Sequence, residues 1–258
     1  MPQAMPKANQ ISSELIDILA SKNRISEMDF YRYIREIEKL RDFESEDYLK
    51  ALANGAFGRK EEAVAFFEEA VKHDIDIVAQ NYVVYLNDYG THREVLNVVN
   101  RFAEKFRSRT MLGYAWETNL FMGDIDKAMY YAEIYAKSAD EEEAEAMRHA
   151  AETALEKSNL FKRNSGLTDS EYSDIAYRVM DVVDSKGMNP IELDFAFIPE
   201  ENISAYIMTV NTLDSDILSD MNLDIAFSLA ENDDLLGKNF SVWFKGALFS
   251  EDIKNVCE

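Results

Sequence analysis

The chain has a single cysteine, Cys257, which excludes an intrachain disulfide and suits a reducing compartment. Four prolines and nine glycines in 258 residues are too few for a turn-rich β-sandwich and suit long helices. Three histidines, His73, His92 and His149, lie far apart, and none has a second histidine at ligand spacing. With no HExxH, no CxxC and no glycine-rich phosphate loop, neither a metal nor a cofactor is expected, and each histidine reads as a surface or hinge position. No apolar run reaches about 18 residues, which excludes a helical membrane span. The opening "MPQAMPKANQ" lacks the apolar core of a signal peptide, so a cytoplasmic location is expected. Cations are also short: 27 Lys and Arg face 49 Asp and Glu, for a net charge of −22. Such a surface repels phosphate backbones and anionic lipid, so no direct nucleic-acid or membrane contact is expected and a basic partner is favoured.

What the chain does have is apolar material, 47% of residues with 12% aromatic, enough for a packed core. Residues 11–22 and 27–41 carry apolar positions at helical spacing. Beyond them, Gly58, Gly90 and Gly123 stand 32 and 33 residues apart, with Ala63, Val95 and Ala128 five positions after each. Helical runs flank every glycine. A period in the low thirties built on helix–turn–helix units marks a stacked repeat, in which glycine closes the first helix with a left-handed backbone and the small residue lets the helices approach.

Ala51, Gly58, Ala63, Phe67 and Ala70 resemble one unit of the tetratricopeptide repeat family. The second unit keeps Gly90 but has Val83, Val95, Val99 and Phe102, and the third keeps Gly123 and Ala128 with Trp116, Ala132 and Tyr135. The resemblance covers about residues 44–137. It implies an α-solenoid whose concave groove is lined by the first helix of each pair, here Tyr48, Leu52, Gln80, Val84, Asn87, Asp88, Glu117, Leu120 and Phe121. That mix suits an amphipathic helix or extended peptide. The family's grip on a free C-terminal carboxylate needs lysines and asparagines on this face, and here Asn87 stands nearly alone beside acids.

Residues 139–161 read as a longer helix that closes the stack, with Ser138 and Glu141 as a capping box, followed by a linker at 162–168. From residue 169 the pattern changes. A helix is followed by "IELDFAFI", whose strict alternation puts Ile191, Leu193, Phe195 and Phe197 on one face of a half-buried strand. A turn at 199–202, a second strand "ISAYIMTV", a helix and a third strand "FSVWFKGA" complete an α-β-β-α-β order, giving helices on one face of a short sheet. The fold expected is therefore mainly α with a C-terminal α+β part: a repeat domain at 11–161 and an acidic α+β domain at 168–250. Residues 166–258 carry a net charge of −14 and the first 165 carry −8.

Asp216, Asp220 and Asp224 fall at i, i+4 and i+8, one stripe of the last helix, extended by Glu231, Asp233 and Asp234. A solvated face is the simplest reading, and a docking strip for a basic partner is the sharper one. Arg101, Lys105, Arg107 and Arg109 form the densest basic cluster; they read as a solvated helix end, a nucleic-acid contact or a dock for the acidic domain. Trp116 and Trp243 sit in apolar runs and read as core. The function these features favour is a non-enzymatic adaptor that binds a protein or peptide through the groove, the acidic domain or both. One alternative is an acidic inhibitor or immunity-type protein that blocks a basic, nucleic-acid-binding partner. Another is an enzyme with convergent polar groups beside a pocket in the α+β domain. A homo-oligomer through an exposed edge of the third strand is also compatible with the sequence.

Overall fold

The computed structural model describes residues 6–198 and 203–248. Cys257, the turn read at 199–202 and the last two residues of the 168–250 region lie outside them. Among the described residues the chain forms eleven α-helices and one three-stranded sheet near its C-terminal end. It divides into two compact units, Met1–Gly90 and Thr91–Glu258.

The first unit holds α1 (Lys7–Ala20), α2 (Glu27–Leu40), α3 (Phe43–Phe57), α4 (Lys60–Ala70) and α5 (Asp76–Tyr89). Its centre is α3, which packs against α1, α2 and α4. The run from Ala51 to Ala56 is buried because its small side chains let neighbouring helices close in. Gly58 ends α3 at φ +93°, the left-handed conformation expected of it. Phe67 is fully buried and stacks on Tyr82 with ring centroids 4.9 Å apart.

The second unit holds α6 (His92–Phe106), α7 (Arg109–Phe121), α8 (Ile125–Ser138), α9 (Glu141–Ser165), α10 (Asp169–Ser185), β1 (Pro190–Ile198), β2 (Ile203–Val210), α11 (Ser215–Ala230) and β3 (Ser241–Gly246). α7 and α8 form a hairpin closed by Gly123 at φ +79°. Gly90 differs from its two counterparts. It is extended, φ −104° and ψ −156°, because Thr91 starts α6 at once with a capping box on Glu94.

α9 also differs from its reading. It is capped by Asp140, which accepts from the Glu143 N–H at 3.0 Å, and not by Ser138. It stays helical through Ser165, so most of the linker read at 162–168 is its last turn, with Gly166 as the stop. The physical reason is burial: Phe161 is fully buried, with its ring 5.2 Å from Phe195 and 6.1 Å from Tyr206. The helix that was expected to close a repeat stack thus supplies a core residue to the sheet.

The sheet order is β1-β2-β3, antiparallel between β1 and β2 and parallel between β2 and β3 through the α11 crossover. α9, α10 and α11 all contribute to the cluster that buries Phe195, Tyr206, Met208 and Phe244. The alternation in β1 breaks at Ile191, where the register shifts between Pro190 and Glu192. Trp243, read as core, is 54% exposed, because it alternates with the buried Phe244; its indole N–H donates to Ser241 Oγ at 2.8 Å. The outer edge of β3 is not simply open either. The Phe244 N–H donates to Asn222 Oδ1 of α11 at 2.8 Å, a side-chain cap on the strand edge.

Candidate binding groove

The second unit contains a groove between α7 and α9. Ser108 caps α7 by accepting from the Met111 N–H, and Met111, Leu112 and Ala115 turn one face inward. The other face, at Gly113, Trp116, Glu117 and Leu120, is left to line a depression. On α9 the buried stripe is Ala144, Ala151, Ser158 and Phe161, and the neighbouring stripe at Met147, Ala150, Ala154 and Lys157 faces the same depression.

Two recesses share Trp116 and Glu117. One, of about 240 Å³, is bounded by Leu120 and Phe121 of α7, Ala154 and Lys157 of α9, and the bulged start of β1. The other, of about 520 Å³, runs toward Arg109 and Glu143 over Tyr135 of α8. From Arg109 to Leu120 the α7 side spans roughly 17 Å at about 1.5 Å per residue.

Ion pairs occupy both ends. Arg109 Nη1 pairs with Glu143, and Lys157 Nζ lies 2.6 Å from Asp194 Oδ1. Burial alone would push Asp194 up; the Lys157 hydrogen bond and the Phe195 N–H outweigh it and leave its pKa lowered. Glu117, in the middle, is different. Its side chain reaches solvent, yet the surrounding walls strip water from the carboxyl and push its pKa up, with only the His92 imidazole opposing. Beside it, Trp116 is half-buried and packs against the edge of the core cluster, and its buried Nε1–H has no hydrogen-bond partner among the described residues.

His92 corrects the surface reading of the histidines. It is buried, its Nδ1 is 2.6 Å from Asp184 Oδ1, and its backbone N–H donates to the same carboxylate, tying α6 to α10. Among the described residues no group of three His, Cys, Asp or Glu side chains is arranged to hold a metal ion.

Of the groove residues read from sequence, Glu117, Leu120 and Phe121 line the smaller recess together. The other six belong to the first unit. Tyr48 and Leu52 are buried, and the Tyr48 hydroxyl accepts from Asn81 Nδ2 at 2.6 Å, so both are packing residues beneath α1. Gln80 donates to Asp76 at 2.7 Å. Val84 is exposed, while Asn87 and Asp88 are half-buried, burial pushing the Asp88 pKa up.

Asp216, Asp220 and Asp224 are exposed along α11, with Asp224 held 2.9 Å from Lys186. Leu223 and Phe227, 54% and 69% exposed, border them. Arg101, Lys105, Arg107 and Arg109 are exposed near the α6–α7 turn, where Arg107 meets Glu104 and Arg109 meets Glu143. Sequence reading missed Lys157, Glu192 and Asp194. Strand alternation could have hinted at Glu192 and Asp194, its polar positions, while nothing local singles out Lys157 on the polar α9.

No family model, curated protein or solved structure matches the chain.

Proposed function

We propose that the protein is a non-enzymatic interaction module that binds a protein or peptide in the α7–α9 groove. The helical hairpins are taken as tetratricopeptide-like repeats, with α7 as the groove-lining first helix of its pair. The observation that carries this reading is the groove itself: two helices leave adjoining faces unfilled by each other, and at its centre stands a carboxylate that has no ion pair among the described residues. A depression between two helices that sets apolar positions such as Leu120 and Ala154 beside charged ones suits an amphipathic helix or an extended peptide.

Ala150 tests it. The residue is exposed at the groove and outside the core, so Ala150→Trp blocks the recess without disturbing the fold. A protein retained by the full chain should be lost from this variant and kept by the triple variant Asp216→Asn, Asp220→Asn, Asp224→Asn. The reverse pattern would move the function to α11. That second reading, an acidic dock for a basic partner, is favoured by the exposed Leu223 and Phe227 beside the aspartates. Its binding would fall steeply as salt rises.

A further inference from the structure

We infer that the smaller recess takes the side chain of a lysine or arginine from the bound partner, with Glu117 as its counter-ion and Trp116 as one wall. The inference rests on the groove reading above and names the chemistry it selects.

The charges that face the recess come from every element around it. Lys157 of α9 and Asp194 of β1 neutralise each other, as do Arg109 and Glu143 at the far end, and His92 of α6 is engaged by Asp184 of α10. Among the described residues two carboxylates of the recess remain without an ion pair, Glu117 of α7 and the exposed Glu192 of β1. Lys245 of β3 acts on Asp194 and His92 on Glu117, yet among the described residues neither forms an ion pair with Glu117, so the local charge is negative and that carboxylate has no direct counter-ion. A carboxylate partly stripped of water gains most from an ammonium or guanidinium, because Coulomb attraction strengthens as the local dielectric falls. Leu120, Phe121 and Ala154 supply apolar surface for the methylene stem of a long basic side chain. Trp116 also lines the recess, and an indole is the side chain whose face attracts cations best. At about 240 Å³ the recess is smaller than the roughly 300–1,000 Å³ typical of small-molecule sites, which suits one side chain more than a whole cofactor.

The test uses the full-length protein labelled for NMR. N-acetyl-arginine methylamide, N-acetyl-lysine methylamide and the uncharged isostere N-acetyl-citrulline methylamide are titrated in turn, following the Trp116 indole N–H and the Glu117 carboxyl carbon. The two cations should move both signals at about 10-fold lower concentration than citrulline, about 1.4 kcal/mol of preference. Glu117→Gln should erase that preference, while Glu145→Gln on the exposed face of α9 should keep it. Equal response to arginine and citrulline, no response to either cation, or a preference that survives Glu117→Gln would each overturn the inference. The groove reading fails separately: if Ala150→Trp retains the partner while the cation preference holds, the partner does not use the groove. If Ala150→Trp loses the partner but no cation preference exists, the groove stands and the cation site falls.

Discussion

Single side chains carry two opposed kinds of strain in this protein. Glu117 is an acid whose folded pKa is raised, so the stability it lends is full below its unfolded pKa, about 4.3, and is lost as pH rises through the folded value. Glu117→Gln should therefore raise the melting temperature at pH 7 and leave it unchanged at about pH 3. The gain should stay under about 1 kcal/mol, because the side chain is exposed and solvent screens it. Thermal melts at the two pH values decide this, and an equal gain at both would refute the assignment. Tyr206 shows the other kind. Its hydroxyl is buried without a partner among the described residues, and burial together with the neighbouring Tyr172 pushes its pKa well up. Removing an orphan hydroxyl removes its desolvation cost, so Tyr206→Phe should stabilise by about 1 kcal/mol, roughly 2–4 °C in a chain of this size. A fall in melting temperature would mean that the hydroxyl has a partner in solution. Neither strain is visible in sequence. Trp116, Tyr206 and Glu117 sit in ordinary helical or strand patterns, and only the long-range packing decides whether each is covered, orphaned or desolvated.

At the level of helices and strands, the glycines between helices show how far local signals reach. Gly58 and Gly123 close their helices with positive φ, as expected of glycines placed between two helical runs. The sequence does not reveal that Gly123 is also a contact point. A Cβ there would lie 2.7 Å from Ala176 Cβ and 3.0 Å from Ser173 Cα of α10, and the Ser173 hydroxyl donates to the Gly123 carbonyl. Gly123→Ala should then cost about 3 kcal/mol, left-handed strain plus a clash that backbone cannot relieve. Gly166→Ala carries the same kind of φ, +67°, with nothing within 4 Å among the described residues, and should cost only about 1 kcal/mol. Comparable chemical-denaturation midpoints for the two variants would show that α10 does not rest on the α7–α8 turn. The strands were legible for a related reason. Period-two alternation marks Leu193, Phe195 and Phe197 directly, and the α-β-β-α-β order follows from it. The bulge at Ile191 and the exposure of Trp243 were not legible, because register depends on the partner strand and "VWF" reads as apolar on both faces.

For the whole molecule, the central question is where the chain divides. Composition and charge change near residue 166, and a polar stretch there looks like a linker. The packing says otherwise. Leu120, Phe121, Met122, Ile125 and Phe161 share one cluster with Phe195, Tyr206, Met208 and Phe244, so the α7–α8 hairpin and α9 are part of the core that the sheet rests on. Sequence could not show this, because the contacts join residues far apart along the chain and α9 is polar over most of its length. Each large apolar side chain buried in that cluster is worth about 1.5–3 kcal/mol, so stripping away four or five of their partners removes about as much as the 5–15 kcal/mol that holds a domain folded. A chain of residues 91–258 should consequently fold alone, with a cooperative thermal transition and dispersed amide signals. A chain of residues 166–258 should not, despite holding the entire sheet, α10 and α11. Circular dichroism melts and amide spectra of the two fragments settle the matter. A cooperative transition in 166–258 would restore the division at the polar stretch and reduce α9 to a spacer. Its absence, with 91–258 folded, would mean that the groove between α7 and α9 is built on the same core as the sheet. A ligand held at Glu117 should then stabilise the strands against unfolding along with the helices it touches.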